Sequence, residues 1–247
     1  MAIKYLHKNN YSDVCEYVSR IIEEQLLIKP NSNIAMNAND DLIGIYGQIV
    51  NDIKKGKYNF NKVNFFLTEE LANVTRNNAN SVFSYMDKNI FTPINMPLEQ
   101  VFYPQTFAPK RDEEYDPVIF KKNSLDLAII FLGKGGELGY IEQFKNFKSD
   151  YTSKFWLREN SLASFKIMQK NKNLNSLELY SIGSGALFNT KKIIVIALGL
   201  GRSSVVYKIM NAKIMDNKFA ATLLMEHPDV TLVTDITAGA LLPKSIQ

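Results

Sequence analysis

Leu127-Ala128-Ile129-Ile130-Phe131-Leu132-Gly133-Lys134-Gly135-Gly136-Glu137 carries the clearest strand signal in the chain. Its apolar run has no polar alternation and ends in glycine, the pattern of a parallel strand covered on both faces. Ile193 to Leu198 repeats the pattern and runs into Gly199-Leu200-Gly201-Arg202. Both runs fall far short of the roughly 20 residues that a membrane-spanning helix needs.

Outward from these runs, strand and helix patterns alternate. Val14, Tyr17, Val18, Ile21 and Ile22 keep helical spacing behind Ser12 as a cap. Asn33 to Asn37 reads as a short strand and Leu42 to Ile53 as a helix. Val63 to Leu67 reads as a strand closed by Thr68-Glu69-Glu70, and Ala79 to Lys88 as a helix with Ala79, Val82, Phe83 and Met86 on one stripe. Thr92 to Pro117, with Pro93, Pro97, Pro104, Pro109 and Pro117, predicts an irregular surface excursion. Lys170 to Asn175 reads as a loop, and Lys218 to Met225 as a helix leading through His227-Pro228 into a strand at Val230 to Val233. The alternation argues for an α/β fold with a doubly wound, mostly parallel sheet and helices on both faces, in a single domain over residues 1–247.

Composition narrows the function classes. The chain has 247 residues, 46% of them hydrophobic, ample for a large core. Its net charge of +4 is spread over 29 basic and 25 acidic residues, so neither a nucleic-acid nor a membrane surface is expected. The single cysteine, Cys15, excludes an intrachain disulfide framework, and a reducing, cytoplasmic setting is expected. The polar stretch from Met1 to Asp13 does not read as a signal peptide. Only His7 and His227 are available for imidazole chemistry. Cys15 reads as core and Trp156 with Phe155 as packing, while His227 before Pro228 reads as a structural residue.

In open α/β sheets, ligands bind beyond the carboxyl ends of the strands. The loops there are Asn37-Ala38-Asn39-Asp40-Asp41, Thr68-Glu69-Glu70, Gly133 to Glu137, and Gly199 to Arg202. Glycine-rich turns expose backbone N–H groups to a phosphate, and Lys134 or Arg202 would add charge-assisted hydrogen bonds. The same glycines also serve simply to turn the chain. Asp40 and Asp41 read as caps for the helix starting near Leu42, and the pair Glu69 and Glu70 has the strongest claim to a chemical role. Neither a dinucleotide fingerprint nor a P-loop is present, and no cofactor or metal is expected.

The order of particular words resembles the glucosamine-6-phosphate deaminase and 6-phosphogluconolactonase superfamily, on the deaminase side. They are Val63 to Leu71, Asn78 to Met86 with Asn89-Ile90-Phe91, Leu132 to Tyr140, Ser184 to Phe188 with Lys191 to Leu198, and Leu224 to Pro228 with Asp235 and Ala238. The resemblance implies a three-layer Rossmann-like domain acting on or binding an amino-sugar phosphate in carbohydrate metabolism. It implies catalytic roles at Glu69, Glu137 and Thr68, and substrate or phosphate contacts at Arg202, Gly199, Gly201, Asn37, Asn39, Lys134 and Gly135. A homo-oligomer is compatible with it. The departures sit where the family does its chemistry. Thr68 stands at the family's proton-moving carboxylate, with Glu69 next to it; Glu137 stands at the Asp and Gly139 at the His of its G-x-G-x-D-G-H loop. The later acidic position falls near Glu142 or Phe144, and a phosphate-binding Arg lines up near Leu162, with Arg158 the nearest substitute. Two alternatives to an active isomerase follow: a catalytically degenerate relative that senses sugar phosphates or serves as an interaction protein, and, more remotely, a lactonase.

Overall fold

The computed structural model describes residues 3–104, 111–144, 150–168 and 177–244. In chain order the elements are β1 (Lys4–His7), α1 (Tyr11–Ile28), β2 (Asn33–Met36), α2 (Ile43–Lys54), β3 (Asn64–Leu67), β4 (Glu69–Leu71), α3 (Val82–Met86), β5 (Val101–Phe102), α4 (Arg111–Lys121), β6 (Leu127–Phe131), β7 (Ser153–Trp156), α5 (Glu159–Met168), β8 (Glu178–Ser181), α6 (Ser184–Phe188), β9 (Lys192–Ala197), α7 (Ser203–Met210) and β10 (Val230–Thr234). Seven strands form one parallel sheet in the order β1-β10-β9-β6-β2-β3-β5.

The unalternating apolar runs are explained by cores on both faces of this sheet. Leu127, Ile129 and Phe131 enter the core that also holds Val18, Ile22 and Ile45 from α1 and α2. Ala128 and Ile130 enter the opposite core, with Ile119 of α4 and Val206 of α7. Ile194 and Ile196 against Ile193 and Val195 divide in the same way. A period-2 side-chain alternation buried on both sides leaves no polar position, which is why the runs read as continuous. The α/β, doubly wound expectation therefore stands.

Several local readings are corrected. Asn10, not Ser12, caps α1, its Oδ1 accepting the Asp13 N–H at 2.9 Å. The helix expected from Ala79 starts only after Ser81, which caps it, and runs from Met86 into a π-turn over Asp87–Phe91. The excursion from Thr92 to Pro117 contains β5 and much of α4, with Pro117 inside that helix. Tertiary anchors override the proline: Tyr115 Oη donates to the carbonyls of Leu67 and Phe102, and buried Asp116 accepts the Thr152 N–H. Ala220–Glu226 is a 3₁₀ helix rather than an α-helix. Trp156 is 60% exposed, so only Phe155 of that pair packs on the core. The loop expected at Lys170 to Asn175 lies outside the described residues. Sequence patterning misses β1 and a second, antiparallel sheet ordered β4-β8-β7. Among the described residues no helix is long and apolar enough to cross a membrane.

At the amino ends of the central strands sits a charge clamp. Asp126, 1% exposed, accepts from the Asn33 N–H at 2.8 Å, from Lys29 Nζ at 2.6 Å and from Lys191 Nζ at 2.7 Å. Burial pushes its carboxyl up, but the hydrogen bonds from Lys191, Lys29 and Asn33 outweigh this and hold it below the ordinary 3.8. Both lysines reach into solvent, which screens the pair. Asp126→Asn is expected to lower unfolding stability by about 2 kcal/mol near neutral pH, measured by urea titration. Because the folded-state pKa is depressed, the gap between wild type and variant should be full above pH 3.8 and shrink as the pH falls below it.

Candidate active site

Strand β2 pairs with β3 on one side and β6 on the other; within this sheet the chain goes on from β2 to β3 and from β6 to β9, in opposite directions, so the crevice opens between the carboxyl ends of β2 and β6. Asn37, the first residue beyond β2, bridges the three strands. Its backbone N–H donates to the Ile129 carbonyl at 3.3 Å, and its Oδ1 accepts the Phe131 N–H at 3.2 Å. A backbone N–H can only donate, so the amide orientation is set and Nδ2 faces the other way. There it donates to Glu69 Oε2 at 2.7 Å and to Thr68 Oγ1.

Glu69 gets its position from a break in the chain. β3 ends at Leu67, Thr68 turns, and Glu69 opens β4 in the second sheet. The alternation of a single strand would send the Thr68 and Glu69 side chains to opposite faces, but across the break both meet Asn37. The Glu69 carboxyl is fully buried, accepting from Thr68 Oγ1, the Asn37 amide and the Ala38 N–H, the last at 2.6 Å. Desolvation is the largest influence and outweighs these donors, raising its pKa to about 7. Glu70 is also raised to about 7 by burial, yet it is tied elsewhere, accepting from the N–H groups of Leu71, Val82 and Phe83. That makes Glu70 the anchor of the α3 amino end and leaves Glu69 as the carboxyl at the strand ends.

Several of the other expected residues are engaged by the chain itself. Glu137 curls back so that its Oε2 accepts the Gly135 N–H at 2.8 Å, filling the glycine turn that was expected to meet a phosphate. Arg202 donates from Nε to the Leu132 carbonyl at 2.5 Å, from Nη1 to the Leu198 carbonyl at 2.7 Å, and from Nη2 to Asp41. Gly199 has φ +80, and its N–H donates to Asp235 at 3.0 Å. Gly201 lies against the exposed Lys134, whose Cε would stand 3.3 Å from a Cβ there. Asn39 is the residue that caps the turn at Asp40, its Oδ1 accepting the Asp41 N–H at 2.9 Å; the capping role expected of Asp40 and Asp41 is not the one observed.

Gly139, with φ +60, has no room for a side chain while Asn37 keeps its place: a Cβ would stand 2.6 Å from Asn37 Oδ1. The amide of Asn37 occupies the space into which a side chain at that position would grow. Glu142 and Arg158 pair with each other, with Nε–Oε2 at 3.2 Å, beside α5. His227 is a structural residue, its Nε2 donating to the Thr190 carbonyl at 2.6 Å and its Nδ1 accepting the Asp229 N–H. Among the described residues no group of three or more His, Cys, Asp or Glu is arranged to hold a metal.

Sequence reasoning passes over three tyrosines that build the wall. Tyr46 Oη donates to the Asn37 carbonyl at 2.6 Å and accepts the Asn39 N–H, Tyr85 Oη donates to Asp40 Oδ1 at 2.7 Å, and Tyr140 Oη donates to the Ala38 carbonyl at 3.3 Å. Tyr46 sits on α2 as an ordinary member of its buried stripe and Tyr85 on α3 beside one, so only their distant partners mark them.

No family model matches the chain. The glucosamine-6-phosphate deaminase of Clostridium botulinum (strain Langeland) is 30% identical over 237 residues, covering 95% of this chain and 96% of that one. That of Clostridium novyi is 27% identical over 97% of this chain and 100% of its own length. Among solved structures, a monomeric glucosamine-6-phosphate deaminase superposes with a TM-score of 0.91 at 20% identity over 97% of this chain and 100% of its own. The 6-phosphogluconolactonase of Leishmania guyanensis does so with a TM-score of 0.74 at 13% identity over 98% and 100%.

The Glu69 environment has a consequence for stability. Its folded-state pKa of about 7 exceeds the ordinary 4.5, so the native state holds a proton that the unfolded chain has already lost. Stability should fall as pH rises from 4.5 through about 7, and Glu70 adds to the same trend. In Glu69→Gln, which stays neutral, the melting temperature should drop less between about pH 5 and about pH 8 and exceed wild type at the alkaline end. Equal slopes in thermal scans of the two proteins would contradict this account.

Proposed function

The chain belongs to the glucosamine-6-phosphate deaminase family, and on that premise we propose that it isomerises and deaminates an amino-sugar 6-phosphate at the carboxyl ends of β2, β3 and β6. The observation that carries this reading is the Glu69 carboxyl, buried where those strands end and brought to about 7 by desolvation. A carboxyl with that pKa exchanges protons near neutral pH in either direction, as an aldose–ketose isomerisation requires. Glu69 takes the proton from the carbon bearing the amino group and returns it to the neighbouring former carbonyl carbon. Water then adds at the resulting imine carbon, and ammonia leaves.

Asn37 and Thr68 hold the carboxylate by hydrogen bonds, and Glu137 assists from the glycine turn after β6. Arg202 and Lys134 hold the phosphate, with Gly135, Gly199, Gly201 and Asn39 shaping the turns around it. The whole chain acts as one domain in this reading, and no nucleic-acid partner is involved.

A second reading has its own observation. Gly139, which stands where the resembled family has its histidine, carries no imidazole and is closed by Asn37, so in this reading the chain binds an amino-sugar phosphate as a sensor without turning it over.

Ammonia release from glucosamine-6-phosphate and galactosamine-6-phosphate decides between them. Turnover is expected, with kcat/KM rising as pH climbs through about 7, since the base must be ionised. Glu69→Gln should cut kcat by about 10²-fold or more. A protein whose melting temperature rises with either sugar phosphate but which releases no ammonia is the sensor instead.

A further inference from the structure

The two partners of the ion pair between Asp41 and Arg202 are held very differently. Arg202 is anchored: its side chain is 7% exposed, and Nε and Nη1 are spent on the carbonyls of Leu132 and Leu198, just beyond β6 and β9. The Asp41 side chain is 42% exposed, and among the described residues Arg202 is the hydrogen-bond partner of its carboxylate. The Asp41 backbone is fixed without that carboxylate, its N–H on Asn39 Oδ1 at 2.9 Å and its carbonyl accepting from Tyr11 Oη at 2.7 Å. The carboxylate can therefore swing into water while both its own loop and the arginine stay in place. With Nε and Nη1 so engaged, Nη2 is the group that donates outward, and it can donate to a carboxylate oxygen or to a phosphate oxygen alike. Beside it, the exposed ammonium of Lys134, which has no hydrogen-bond or ion-pair partner among the described residues, runs along Gly201.

We infer that Asp41 is an internal anion seated on Arg202, which a ligand's phosphate must displace, so that Asp41 sets how strongly this chain takes phosphorylated ligands. The inference rests on the amino-sugar phosphate reading only for the identity of the incoming anion. Asp41 acts twice, by occupying the Arg202 Nη2 group and by repelling the phosphate that approaches it. Asp40 is a built-in comparison. It carries the same charge one residue away, but its carboxylate accepts from Tyr85 Oη and does not reach Arg202.

Inorganic phosphate, titrated calorimetrically into the full chain, tests this. Asp41→Asn should bind phosphate at least about tenfold more tightly than wild type, and Asp41→Ala, which leaves no side chain on Nη2, should do the same. Asp40→Asn removes an equal charge and should stay within about threefold of wild type, as screening of a charge that makes no contact allows. Equal gains from Asp40→Asn and Asp41→Asn would reduce the effect to net charge and overturn the displacement. No gain in either Asp41 variant, or no phosphate binding by any of the proteins, overturns it as well. Ammonia release is scored separately: phosphate gain without turnover sinks the deaminase reading and leaves this one standing, whereas turnover without a gain does the reverse.

Discussion

The burial of one carboxyl group beneath one amide organises this molecule. Glu69 leaves water completely where β2, β3 and β6 end, and an uncompensated carboxylate there would cost several kcal/mol. Asn37 makes that burial tolerable, and it can do so only while its Oδ1 is held by the backbone of β6. The same spot is the seam between the two sheets. Thr68 turns the chain from one into the other, and its carbonyl accepts the Ile182 N–H at 2.8 Å just beyond β8. Changing the amide therefore disturbs the protonation of Glu69, the join of the sheets and the closure over Gly139 together.

Around that seam the strand ends follow one chemical rule. Backbone N–H groups and an arginine that could receive an external anion are met by the chain's own carboxylates: Glu137 at Gly135, Asp41 at Arg202, and Asp235 at Gly199. The opposite end of the sheet inverts the arrangement, with one buried aspartate, Asp126, gathering two lysines and a backbone N–H. There the carboxyl is held below its ordinary value, whereas Glu69 is raised above its own. Donor strength accounts for the contrast, since two ammonium groups outweigh burial where an amide, a hydroxyl and a single N–H do not.

Much of the fold was legible in the sequence because its signals are local and periodic. Leu127 to Leu132 and Ile193 to Leu198 declare buried parallel strands by lacking alternation, and the glycines after them mark the carboxyl ends of those strands. The antiparallel sheet was not legible. Its strands are three or four residues long, one of them opens with two glutamates, and β7 lies largely exposed, so neither length nor hydrophobicity separates them from loop. α4 hid behind Pro117, whose local preference is overruled by Tyr115 and Asp116 reaching β3, β5 and Thr152.

The class of fold and the shortage of imidazoles were written in the chain's local patterns, since periodicity and composition need no distant partner. The contacts made by the strand-end residues came from the long-range packing alone. Asp41 and Arg202 lie 161 positions apart, and Asn37 meets Phe131 across 94, so no pattern of neighbours could pair them. Burial raises both neighbouring glutamates, and their donors separate them: Glu69 is held by Asn37, Thr68 and the Ala38 N–H at the seam, while Glu70 anchors the start of α3.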